Sequence, residues 1–94
     1  MILVGIDIGK NKHTFSVIDK ETGEILLKPS VFDNNQNGFL LLIKKLSAYN
    51  KSKLLIGMED TGHYHFALLK YLLDKKCTVA LINPTTTDLT RKIQ

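Results

Sequence analysis

Residues 2–8, Ile-Leu-Val-Gly-Ile-Asp-Ile, are apolar on both alternating faces except at Asp7, and this pattern predicts a central strand covered on both sides. A polar turn at 9–12 separates it from residues 13–19. There Thr14, Phe15, Val17 and Ile18 favour a second strand, and the two make a hairpin. Lys20-Glu21-Thr22-Gly23 predicts another turn, with Gly23 available for positive φ, leading into an extended run over 25–32. Pro29 lies in that run. It has no N–H to give a central ladder, so the third strand is placed at a sheet edge.

From Asn37 the period changes. Phe39, Leu42, Ile43 and Leu46 recur at helical spacing after an Asp/Asn-rich stretch and build one apolar face, with Lys44 and Lys45 turned to water. Residues 54–58 form a compact apolar run that reads as a buried strand. Tyr64, Ala67, Leu68, Tyr71 and Leu72 then share a second helical face, with Lys70, Asp74 and Lys75 opposite, before 78–82 returns to strand composition. Asn83-Pro84 supplies a helix start, and Leu89 and Ile93 are placed to line one face of that helix. No stop signal precedes Gln94, so residues 1–94 read as the N-terminal piece of a longer chain. The order is β-β-β-α-β-α-β, an α/β mixed sheet of five strands with helices on its faces, and this layout resembles the RNase H-like fold.

Ninety-four residues make one domain, and 44% hydrophobic with 23% charged residues excludes a disordered tail. Thirteen basic against nine acidic residues leave a net charge of +4, which suits a polyanionic partner. The single cysteine, Cys77, excludes an internal disulfide and a cysteine-based metal knuckle, and it points to a reducing compartment. No apolar run approaches the roughly 20 residues of a membrane span, and Asp7 interrupts the opening apolar stretch, which a signal peptide would avoid. A cytoplasmic location with no membrane partner follows as the expectation.

The strongest chemical signal is position. Strands 1 and 4 each end in an acid, Asp7 within Gly5-Ile6-Asp7-Ile8-Gly9 and Glu59 directly after Met58. If these strands are parallel neighbours, both carboxylates lie at one carboxyl edge, where open α/β sheets place their ligands. Two close carboxylates repel, so they take up a proton or hold a cation, and hard oxygen donors favour Mg²⁺ or Mn²⁺. The plainer alternative is that Asp7 begins a turn and Glu59 favours the start of the next helix through its charge.

Other candidates carry less. His63 and His65 lie two apart and so point different ways on a helix, as packing or surface residues rather than paired ligands. Residues 5–10 imitate a phosphate loop but are one residue short, with Asn11 where Ser or Thr should follow Lys10. Lys10, Lys12, Lys51, Lys53, Arg91 and Lys92 could line a phosphate-facing surface or simply solvate the fold. The tyrosines and Phe66 fall on or near a helical apolar face, which favours core packing over base stacking.

Three ordered motifs, Val4-Gly5-Ile6-Asp7-Ile8-Gly9-Lys10 with Lys12-His13, Gly57-Met58-Glu59-Asp60-Thr61-Gly62-His63-Tyr64, and Ile82-Asn83-Pro84, resemble the N-terminal RuvC-like domain of the DEDD-type insertion-sequence transposases. The resemblance covers essentially the whole chain. It implies that Asp7 and Glu59 are the first two of four metal-binding catalytic acids, with Mg²⁺ or Mn²⁺ as cofactor. The last two, three residues apart in a Lys-rich helix, would follow Gln94; Asp88 has no second Asp three residues on and comes too soon after Asn83-Pro84 to be one of them.

The resemblance further implies a C-terminal domain with a catalytic serine, DNA as substrate, a structured guide RNA as partner, and a homo-oligomeric full-length recombinase whose first 94 residues alone are inactive. The rivals are an actin-like or sugar-kinase ATPase lobe, which also opens on a glycine-flanked Asp, a Holliday-junction resolvase or nuclease of the same fold, and a non-catalytic nucleic-acid-binding or assembly module.

Overall fold

The computed structural model describes residues 1–59 and 62–82. The helix expected at Asn83-Pro84, with Leu89 and Ile93, lies outside the described residues, as do Asp88, Arg91 and Lys92. Five strands, β1 (Ile2–Asp7), β2 (Lys12–Asp19), β3 (Ile25–Asp33), β4 (Leu54–Glu59) and β5 (Thr78–Ile82), form one sheet in the order β3-β2-β1-β4-β5. β1 pairs antiparallel with β2 and β2 with β3, whereas β1–β4 and β4–β5 are parallel. Helix α1 (Gln36–Leu46) links β3 to β4 through a short 3₁₀ turn at Lys51–Lys53, and α2 (Phe66–Asp74) links β4 to β5.

The local chemistry accounts for these boundaries. Gly23 takes φ +77° in the β2–β3 turn, where the Asp19 carboxylate accepts from the Glu21 N–H at 2.9 Å. Asn35 caps α1 by accepting from the Gly38 N–H at 2.9 Å. Gly38 lets the first turn of α1 lie against the end of β3, since a Cβ there would overlap the Asp33 carbonyl. Pro29 sits in β3, the edge strand that its missing N–H demands.

Both helices pack on the same face of the sheet. Phe39, Leu42 and Leu46 of α1 and Leu68 and Leu72 of α2 form one core with Val4, Ile6, Phe15, Val17, Ile56 and Met58, and Phe39 lies 5.4 Å from Tyr71 between the helices. This revises the expected position of β1. It is the central strand, but among the described residues only one of its faces is covered: Val4 and Ile6 are buried while Gly5 and Asp7 are exposed. Its apolar run extends to the uncovered face only through half-buried Leu3. No helix among the described residues is long and apolar enough to cross a membrane.

Candidate active site

Parallel pairing of β1 with β4 aligns Val4 with Ile56, Gly5 with Gly57 and Ile6 with Met58. One step further along each strand stand Asp7 and Glu59. Alternation turns Ile6 and Met58 into the core and the two acids to the uncovered face. Adjacent strands are roughly 4.8 Å apart, so the two carboxylates arise side by side. Asp7 is also opposite Thr14 of β2, and Glu59 opposite Ile82 of β5, so the acids occupy the middle of a row crossing four strands.

The row immediately behind them is built of small residues. Ser16, Gly5, Gly57 and Ala80 follow one another across β2, β1, β4 and β5. An added Cβ at Gly5 would meet nothing within 4 Å, and at Gly57 only the tip of Ile82 at 3.7 Å. The result is an open depression of about 450 Å³ lined by Asp7, Glu59, Gly5, Gly57, Thr14 and Ser16. A second body can therefore approach the backbone beside two carboxylates. Among the described residues no group of three or more His, Cys, Asp or Glu side chains gathers as a metal site, so the acids here are a pair.

Of the six basic residues considered as one phosphate-facing surface, the four described ones do not share a place. Lys10 and Lys12 follow β1 at the acids' edge, and Lys12 pairs with Asp33 at 3.2 Å. Lys51 and Lys53 precede β4 and so stand at the opposite edge, where Lys51 donates to the Lys75 carbonyl at 2.7 Å. The expectation for the aromatics also needs correction. Tyr71 packs against the core, but Tyr64 and Phe66 are 46% and 55% exposed. The cause is local: Gly62 and His63 both take positive φ, 63° and 70°, and α2 starts only at Phe66, so Tyr64 belongs to a turn and not to the helical face. His63 stacks on Phe66 at 5.5 Å and is exposed, while His65 is buried. The two histidines are thus surface and packing residues.

Two residues near the acids had no role assigned from the sequence, although His13 belongs to the first motif of the resemblance. His13 is buried beneath the β1–β2 turn, its Nδ1 accepting from the Gly9 N–H at 3.1 Å and its ring 5.3 Å from Phe32. Burial pushes its pKa below the ordinary value, against smaller upward pulls from Asn34 and Asp7. Asn34, just after β3, donates to the Lys10 and Tyr64 carbonyls at 3.0 and 3.4 Å.

Sheet order, strand directions and the position of the acid pair define a RuvC-like domain of the RNase H-like class. Thermus thermophilus RuvC, solved with a Holliday junction substrate, shares this fold with a TM-score of 0.64 at 11% identity, over 90% of this chain and 66% of that one. The fowlpox virus resolvase in complex with substrate Holliday junction DNA gives 0.55 at 21% identity, over 90% of this chain and 62% of that one. Residues 4–94 match the DEDD transposase family model, described as Transposase. The chain belongs to the DEDD-type insertion-sequence transposases. It is 34% identical over 83 residues to the pilin gene-inverting proteins of Moraxella lacunata and Moraxella bovis, matching 86% of this chain and 24% of each relative. It therefore spans about a quarter of the length of these relatives. Family membership decides against the ATPase-lobe alternative.

Proposed function

We propose that this chain is the N-terminal part of a recombinase that cuts and rejoins DNA phosphodiester bonds during transposition, with Asp7 and Glu59 as catalytic, metal-holding acids. The observation that carries the reading is their juxtaposition: two carboxylates one register step beyond the Ile6–Met58 pair, on the uncovered face, beside a floor of small residues. Two exposed carboxylates make a hard oxygen donor set that fits Mg²⁺ or Mn²⁺. Such an ion supplies Lewis-acid polarisation of a phosphoryl oxygen.

The chain's own residues do the rest. Gly5 and Gly57 leave room for a sugar-phosphate backbone against the sheet, Thr14 and Ser16 line the same depression with hydroxyls, and exposed Lys10 adds positive charge at that edge. The described residues bring together a pair of acids, half the four-acid set of the family, and the 94-residue chain by itself should be inactive. A structured guide RNA, a homo-oligomeric full-length enzyme and a cytoplasmic location belong to the same reading.

The test is strand cleavage and joining by the full-length protein. Asp7→Asn and Glu59→Gln each remove one charge from an exposed position and should lower cleavage by roughly 10³-fold while leaving the protein folded. Cleavage at the wild-type rate by either variant would overturn the assignment.

A further inference from the structure

The parallel ladder between β1 and β4 ends at Ile6–Met58, one residue short of the acids. Beyond it, Asp7 is held by Thr14 of β2 and Glu59 by Ile82 of β5, and their separation is set further by the segments that follow them. Asn34 touches both. Its backbone N–H donates to the Asn11 carbonyl at 2.9 Å, and its side-chain Nδ2 donates to the Lys10 carbonyl at 3.0 Å and the Tyr64 carbonyl at 3.4 Å. Residues 10 and 11 belong to the turn after Asp7, and residue 64 to the turn after Glu59.

The orientation of the amide follows from these partners, because two carbonyls can face only the NH₂ end. Asn34 Oδ1 is therefore directed away from them, and it is buried without a hydrogen bond of ordinary geometry. The tautomer of His13 follows in the same way. Nδ1 accepts from the Gly9 N–H, so the ring proton is on Nε2, which is likewise buried without such a bond. The two assignments rest on different backbone groups, yet they leave one donor and one acceptor for each other. Asn34 pulls the His13 pKa upward against the larger effect of burial, while neither atom makes a hydrogen bond of ordinary geometry.

We propose that Asn34 is a positioning residue that fixes the turn after Asp7 relative to the turn after Glu59 and thereby sets the metal affinity of the acid pair. The inference rests on the assignment of Asp7 and Glu59 as metal-holding acids. Asn34 itself touches neither carboxylate in the described bonds; it acts through the backbone.

Mn²⁺ binding to the full-length protein, measured by calorimetry, tests this without relying on turnover. Asn34→Ala removes the side-chain bonds to both turns and leaves only the backbone N–H to Asn11, and Asn34→Asp keeps the side chain's size but loses both donors to the carbonyls. Each should bind Mn²⁺ about tenfold more weakly, the lower end of what residues supporting metal ligands contribute. Asn35→Ala is the control: it removes the α1 cap and should lower the unfolding midpoint while leaving Mn²⁺ affinity within about twofold. Asp7→Asn separates the two levels of failure. If it leaves Mn²⁺ binding intact, the acid assignment is wrong; if it abolishes binding while both Asn34 variants bind like wild type, only the positioning role is wrong. Loss of folding in both Asn34 variants would make Asn34 a residue of general stability and would also overturn the proposal.

Discussion

On the helix-covered face of the sheet, Val4, Ile6, Val17, Ile56 and Met58 are buried under α1 and α2, whereas the other face of the same strands presents Gly5, Asp7, Ser16, Gly57 and Glu59. Neighbouring residues along one strand thus serve opposite ends. Side-chain alternation lets β1 and β4 hold the core with one set of residues and offer carboxylates and bare backbone with the other. Stability and chemistry are separated by a single residue step, so substitutions on the two faces should have distinguishable signatures.

The largest contrast comes from the covered face. Leu42→Ala empties a fully buried site between α1 and the sheet and should cost about 2–5 kcal/mol, read from chemical denaturation. On the proposed function, strand cleavage by the full-length protein should keep its dependence on a divalent metal wherever the variant remains folded. A changed metal dependence would mean that the two faces are coupled.

A smaller effect sharpens the boundary between them. In the unfolded chain His13 takes up a proton near its ordinary pKa of 6.5, but burial holds the folded-state value lower. Between these values the unfolded state binds more protons, so stability falls as the pH drops from 6.5 through the folded-state pKa and is unaffected by this group above 6.5. Protonated Nδ1 could no longer accept from Gly9, which gives the loss a structural counterpart. His13→Gln should flatten the difference in denaturation midpoint between about pH 7 and about pH 5 relative to wild type. An unchanged difference would remove His13 from the acid sensitivity of the fold.

The smallest stability effect belongs to the open face. Gly5→Ala adds a methyl where nothing lies within 4 Å, so stability should stay level or rise by up to about 1 kcal/mol, as expected for relieving a glycine in a strand. The same methyl raises the floor beside Asp7 and should reduce cleavage by the full-length protein. Marked destabilisation would instead show that another part of the full-length protein packs on Gly5.

Much of the fold was legible because its signals are local. The alternation in 13–19, the helical spacing of Phe39, Leu42 and Leu46, the turn at Gly23 and the edge position of Pro29 all follow from backbone geometry over a few residues. Asp7 and Glu59 were legible as strand-end acids, and their adjacency followed once a crossover made the strands parallel. The exposure of Tyr64 and Phe66 was not legible, because His63 enters the left-handed region that non-glycine residues usually avoid. Nor was the division of the lysines, since sequence spacing gives no indication that Lys10 and Lys51 stand at opposite sheet edges.

The amino-acid sequence by itself determined the seven elements from β1 to β5 in their order, and an acid at the end of each of two apolar strands, because periodicity and turn chemistry act within one stretch of chain. Tertiary structure alone decided that both described helices cover one face, that a row of small residues lies beside the acids, and that Asn34 bonds the turns following Asp7 and Glu59. Those outcomes depend on hydrogen bonds and packing between segments far apart in the chain, and no local pattern encodes which carbonyl an asparagine will find.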